Sequence, residues 1–254
     1  MTDTASGTGY PDDQRARELG ARLRAVQARV SAAAAAAARP EPTLIVVTKY
    51  FPASDVRILA ELGVSDVGEN RDQEAAAKAA ELEELTLRWH FIGQLQTNKA
   101  KSVVRYASSV HSVDRVPLVS SLTRAMTAEQ AGRAAAGSPP RPDLACYLQF
   151  TLEDGAPPGG RGGALPRDAE ELAESVVAAE GLRLAGVMAV APRGAPAAVA
   201  FEHLMRIAQL VRAVDPAAAA VSAGMSGDLE EAVAAGATHL RIGSDVLGPR
   251  PAVG

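Results

Sequence analysis

The sequence predicts an α/β chain folded as a (β/α)8 TIM barrel. Three observations carry that prediction. The length of 254 residues matches the roughly 250 residues typical of such a barrel. From Leu44 onward eight short β-rich runs alternate with longer amphipathic segments, and strands separated by helices of that length pair in parallel through right-handed crossovers. No G-x-G-x-x-G follows the first run, which counts against a dinucleotide-binding sheet, although an open doubly wound sheet reads much the same up to the last strand.

Residues 1–12, MTDTASGTGYPD, are small and polar and are expected to be a disordered N-terminus ahead of one domain, 13–254. The segment DQRARELGARLRAVQARVSAAAAAAARP is built from strong helix formers and closed by Pro40, its alanines reading as low-complexity helical surface. The expected strands are Leu44 to Lys49, Ser65 to Gly68, Arg88 to Ile92, Ser109 to Ser112, Leu144 to Thr151, Leu184 to Val190, Ala219 to Ser222 and Thr238 to Ile242. Helical patterns such as ASDVRILAELG and RDQEAAAKAAELEEL fill the gaps. Two irregular stretches interrupt the pattern, AGSPPRP and EDGAPPGGRGGALPR. The second follows a strand's end, on the side where barrels carry active-site loops, and reads either as a lid or as a structureless connection. Arg161 is its only charge between Asp154 and Arg167.

Composition narrows the function. A formal charge of −4 and a pI near 5.7 argue against a nucleic-acid or anionic-membrane binder, since both need a basic face. The single cysteine, Cys146, sits in an apolar run, reads as core and fits a reducing compartment. Neither a signal peptide nor a membrane span is legible, so a cytoplasmic protein is expected.

Polar residues gather where strands end. Lys49 closes the first, Gly68, Glu69 and Asn70 the second, His90, Gln94 and Gln96 follow the third, and Ser112 and Asp114 the fourth; SAGMSGD and RIGSDVLG follow the last two. These ends converge on one mouth in a barrel. Glycines and serines directly before a helix leave backbone N–H groups free for an anion, and the loops after strands seven and eight are the recurrent phosphate site of this fold. Lys49 follows LIVV, a run buried on both faces, so its amine is expected to point into the mouth, where desolvation favours the neutral nucleophile. A lysine facing a phosphate site describes a phosphorylated aldehyde held as a Schiff base.

The stretches VVTKYFPASDVRILAELGVSDVGENRDQEAAAKAAEL, LRWHFIGQLQTNKAK, VHSVDR and GMSGDLEEAVAAGATHLRIGSDVLGPR resemble the pyridoxal phosphate homeostasis protein family, PLP-binding proteins similar to the N-terminal part of alanine racemase. The resemblance runs from about Leu44 to Arg250. It implies a fold-type III PLP barrel without the C-terminal β domain, with pyridoxal 5′-phosphate as cofactor. It also implies that Lys49 carries the cofactor, that Ser222, Met225, Ser226, Gly243 and Ser244 lie about its phosphate, that Asn70 belongs to the site, and that Arg241 faces the pyridine nitrogen. The chain departs from the family pattern in KYFP, in GENR and around Arg161.

A guanidinium only donates, so a ring nitrogen facing Arg241 stays unprotonated and the ring is a weak electron sink. Racemases of this kind use a second base from a C-terminal domain, and only ten residues follow Ser244 here. The expected function is therefore a PLP-binding protein of intracellular PLP homeostasis, monomeric, with PLP-dependent apoenzymes as recipients and no turnover. The alternatives are a racemase-like enzyme using Lys49 as its only base and a Schiff-base aldolase. His111, His203 and His239 show no metal-ligand spacing and read as solvated surface, Trp89 as core, and Lys99, Lys101 and Arg105 as a solvated helix face.

Overall fold

The computed structural model describes residues 11–153 and 162–250. The expected disordered residues, Pro11 and Asp12 apart, and the centre of the EDGAPPGGRGGALPR stretch, with Arg161 and the lid reading, lie outside the described residues.

The chain opens with helix α1 (Pro11–Ala36) and continues through β1 (Thr43–Val47), α2 (Ala53–Glu61), β2 (Asp66–Glu69), α3 (Asp72–Glu81) and β3 (Arg88–Phe91). It proceeds through α4 (Ala100–Tyr106), β4 (Ala107–Val113), α5 (Val116–Ala135), β5 (Leu144–Gln149), α6 (Ala169–Val177) and β6 (Leu182–Met188). α7 (Ala197–Val214), β7 (Ala220–Ser222), α8 (Leu229–Ala235), β8 (His239–Ile242) and α9 (Ser244–Leu247) complete it. The eight strands form a closed parallel barrel in sequence order. Closure is made by β1 on β8, with Thr43 opposite His239 and Val46 opposite Ile242. The strand count read from the sequence is thereby confirmed, and the sheet is a barrel rather than an open one.

Alternation along each strand divides the core into two compartments. Residues facing the helices, such as Val46, Val67, Trp89, Phe91, Val110 and Cys146, join one large apolar cluster. Burial pushes the Cys146 thiol up to about 12, so it stays protonated. α1 adds a stripe at helical spacing, Leu19, Leu23, Val26, Val30 and Ala34, all buried, and packs on α2, α8 and α9. Each large aliphatic side chain buried this way contributes on the order of 1.5–3 kcal/mol. Among the described residues no helix is long and apolar enough to cross a membrane.

The barrel interior is less apolar than the usual layers of branched residues. Its small apolar cluster, Ala145, Tyr147, Ala185 and Met188, shares the barrel with buried Asp66, His90, Ser109, His111, Ser222 and Arg241. This corrects the surface reading of His111 and His239. His111 is 0% exposed and stacks on Tyr147 with ring centroids 4.0 Å apart, while His239 Nε2 lies 3.2 Å from the Tyr147 hydroxyl. Inward polar residues alternating with outward apolar ones mimic the pattern of a half-exposed strand. His203 stays on α7, partly exposed, as expected.

Candidate functional site at the barrel mouth

Ile45 and Val47 share the inward face of β1, and two residues further on Lys49 continues that parity into the mouth. A cavity of about 310 Å³ opens there. Lys49, Met225, Ser226, Arg241, Gly243 and Ser244 all line it, so six of the eight residues singled out from the sequence meet in one place. Lys49 is partly buried. Its Nζ lies 5.8 Å from the centre of the Tyr50 ring, and Arg71 and Arg250 approach the same ring at 5.1 and 4.8 Å.

The β7–α8 turn supplies Met225, Ser226 and Gly227, and is held by Asp228 Oδ1, which accepts from the Met225 amide at 2.6 Å. The β8–α9 turn supplies Gly243 and Ser244. First-turn amides of a helix have no intrahelical acceptor and are left for an anion. Gly243 also permits close packing, since a Cβ there would stand 3.3 Å from the Val47 carbonyl oxygen.

Arg241 is buried under the cavity, 5% exposed. Its Nη1 donates to Ser222 Oγ at 2.6 Å and its Nη2 to the Ala189 carbonyl at 2.9 Å. Burial lowers its pKa to about 10, which still leaves a cation at neutral pH. Ser222 therefore does not line the cavity; its hydroxyl is engaged beneath, between Arg241 and His111 Nδ1 at 2.9 Å.

From Ser222 a polar chain descends through the barrel. His111 Nε2 lies 2.9 Å from His90 Nδ1, and His90 Nε2 lies 2.9 Å from Asp66 Oδ1; Ser109 Oγ bridges the two rings at 3.2 and 2.7 Å. Arg88 closes the chain on Asp66 with Nε at 2.7 Å from Oδ1 and Nη2 at 2.5 Å from Oδ2. One proton assignment runs from Asp66 to Ser222, with Ser109 Oγ sharing the contact between the two rings. His90 Nε2–H donates to Asp66, His111 Nε2–H donates toward His90 Nδ1, and the Ser222 hydroxyl donates to His111 Nδ1 while accepting from Arg241. Burial above all, with the nearby Arg241 cation, holds His111 well below the usual imidazole range. Burial also lowers His239 to about 4. Burial alone would raise Asp66, but hydrogen bonds from His90 and Arg88 more than reverse it and hold the carboxylate well below its ordinary range.

Asn70 stands apart, lining a neighbouring cavity of about 580 Å³ with Arg71, Lys99 and Arg115; its buried Oδ1 has no hydrogen-bond partner. Sequence reasoning missed Tyr50, Ile92 and Arg250 in the wall of the Lys49 cavity. Tyr50 had left a signal, the KYFP departure. Among the described residues no cluster of His, Cys, Asp or Glu is arranged to hold a metal ion.

Comparison with known proteins matches residues 21–251 to the family described as alanine racemase, N-terminal domain. The chain is 41% identical over 255 residues to the pyridoxal phosphate homeostasis protein of Mycobacterium tuberculosis, covering 96% of each. It is 38% identical over 227 residues to the protein of that name from Pseudomonas aeruginosa, covering 89% of this chain and 93% of that one. Among solved structures it resembles PipY of Synechococcus elongatus with PLP bound, at TM-score 0.74 and 30% identity over 91% of this chain and 100% of that one. Alanine racemase from Corynebacterium glutamicum shares the fold at TM-score 0.61 and 12% identity, over 92% of this chain and 60% of the racemase.

Proposed function

The chain belongs to the pyridoxal phosphate homeostasis protein family, built on the alanine racemase N-terminal domain, and from that premise we propose that it holds PLP as a Schiff base on Lys49 and serves in PLP homeostasis. The observation that carries this reading is the meeting of Lys49 with Ser226, Gly243, Ser244 and the buried Arg241 around one cavity of about 310 Å³, within the range of small-ligand sites. The residues present fit the group: one amine for an aldehyde, serine and glycine turns for a phosphate, and a donor-only cation for a ring nitrogen.

When bound, PLP supplies an aldehyde that condenses reversibly with a primary amine. Lys49 presents that amine from the end of β1. Ser226, Gly243 and Ser244 hold the phosphate through hydroxyl and backbone donors. Arg241 has both its Nη atoms anchored, to Ser222 and to Ala189, so it is fixed as a donor and takes no proton from the ring. An unprotonated ring withdraws electrons poorly, which favours carrying the cofactor over amino-acid turnover. The reading includes storage and delivery of PLP to PLP-dependent apoenzymes.

The test is the visible spectrum of the purified protein with PLP, wild type beside Lys49→Ala, before and after borohydride. The expected result is a yellow band in wild type, fixed by borohydride onto Lys49 and missing from the variant. Absence of a band from both proteins would overturn the cofactor assignment.

A further inference from the structure

Lys49 sits on a turn whose backbone is gripped on both sides. Thr48 before it faces the helix layer, fully buried, and its carbonyl accepts from Lys78 Nζ of α3 at 3.0 Å. Tyr50 after it donates its amide to Glu74 Oε1, also of α3, at 2.7 Å. Lys78 Nζ joins these partners by ion pairs to Glu74 at 2.7 Å and Glu69 at 2.8 Å, and Glu69 Oε1 accepts from the Thr48 hydroxyl at 2.7 Å. Lys78 and Glu69 are 6% and 1% exposed. Buried charges are costly to keep unless they are paired and hydrogen-bonded; here Lys78 and Glu74 each also bond one of the two peptides that flank Lys49, while Glu69 Oε2 is left without a partner.

The turn needs that support. Tyr50 has φ of 72°, the left-handed region that a bulky non-glycine residue occupies only under constraint. In that conformation Tyr50 stands in the cavity wall beside Lys49, and the peptides before and after Lys49 are the ones α3 holds.

We infer that the Glu69–Lys78–Glu74 ion cluster behind the sheet is the positioning device of Lys49, fixing the amine's aim through Thr48 and Tyr50 without touching the ligand. The inference rests on the reading of Lys49 as the cofactor amine. It makes Glu74 and Lys78 positioning residues for the condensation step and leaves the phosphate turns independent of them.

The experiment compares Glu74→Ala with Glu74→Gln, which keeps a carbonyl acceptor for the Tyr50 amide. Glu74 is the partly exposed member of the cluster, so its truncation leaves the Lys78–Glu69 pair in place. The first readout is amide hydrogen exchange at Tyr50 in protein free of PLP, expected to accelerate at least ten-fold in Glu74→Ala and to return toward wild type in Glu74→Gln. The second is the rate of borohydride-fixed labelling of Lys49 at limiting PLP, expected to fall five-fold or more in Glu74→Ala and to recover in Glu74→Gln. Affinity for pyridoxine 5′-phosphate, which has the phosphate and ring but no aldehyde, should stay within two-fold in both variants.

Labelling of Glu74→Ala at the wild-type rate would overturn the inference, as would unchanged exchange at Tyr50. An equal loss of pyridoxine 5′-phosphate affinity would overturn it too, by showing a general collapse of the site. If wild type takes no label at all, the cofactor reading fails, and the exchange result alone then decides whether the cluster holds the turn.

Discussion

His111 and Ser222 meet at 2.9 Å in the middle of the barrel, and that contact joins the buried arginine under the mouth to a polar chain ending on Asp66. Replacing His111 by leucine leaves the buried Ser222 hydroxyl without its acceptor, while His90 Nδ1 keeps Ser109 Oγ at 2.7 Å. Unsatisfied buried polar groups cost about 1–3 kcal/mol each. Urea unfolding of His111→Leu should show a loss of about 1–3 kcal/mol; a loss under about 0.5 kcal/mol would mean that the polar chain contributes nothing to stability.

The same interior predicts acid sensitivity. His111 and His239 have folded pKa values depressed below the ordinary 6.5, His239 to about 4. As pH falls through 6.5 the unfolded chain takes up these protons and the folded one does not, so stability drops with falling pH. Between pH 7 and pH 5 each histidine should remove up to about 2 kcal/mol, somewhat less for His239, which keeps some solvent contact. Above about pH 8 neither contributes a slope. Asp66, depressed below its ordinary value of 3.8, adds a further loss only below about pH 4. Urea titrations at pH 7, 6 and 5 check the sign, and His239→Gln should flatten the curve by its own share.

Gly93 of the WHFIGQLQ stretch has no room for a side chain. A Cβ there would lie directly against the Asn70 backbone carbonyl, where the β2 and β3 ends meet at the rim. Backbone, unlike the tip of a side chain, has little room to yield. Gly93→Ala should therefore cost about 1–3 kcal/mol in thermal or urea unfolding, and a variant as stable as wild type would show that the two loops are free to separate.

What the sequence revealed follows from parity and position. Lys49, Ser226, Gly243 and Ser244 were legible because each stands at a strand's end or a helix's start, where residue type alone points to chemistry. His111 was not, because polar residues facing the axis of a barrel alternate with apolar ones as they do on a solvated strand, and His90, read at the mouth, lies deeper in the barrel between Asp66 and His111. Ser222 was placed at the mouth by its strand-end position, but only coordinates show its hydroxyl turned to Arg241 and His111. Glu74 and Lys78 were hidden for a different reason: spaced i,i+4 on α3, they look like any surface pair on a helix.

Arg29 was hidden in the arginine-rich α1, yet it reaches the two turns beside the cavity. Its Nη1 donates to the Ser226 carbonyl at 2.8 Å and approaches Asp245 Oδ2 at 3.3 Å, while Nε and Nη2 grip Glu230 at 2.5 and 2.6 Å. One side chain thus ties the β7–α8 turn to the start of α9, the two segments read as the phosphate cradle. Because the guanidinium is about one-third exposed, its ion pairs are screened, and Arg29→Ala should alter stability by less than about 1 kcal/mol. Its effect on binding should be larger, about three- to ten-fold weaker affinity for pyridoxine 5′-phosphate, equivalent to about 0.7–1.4 kcal/mol. Glu230→Ala removes the outer ion pair but leaves the contacts to Ser226 and Asp245, and should weaken affinity by less than two-fold. Isothermal titration of the three proteins separates the cases. Equal affinities in wild type and Arg29→Ala would mean that the turns hold their shape without α1, whereas equal losses in both variants would assign the effect to charge rather than to the tie between the loops.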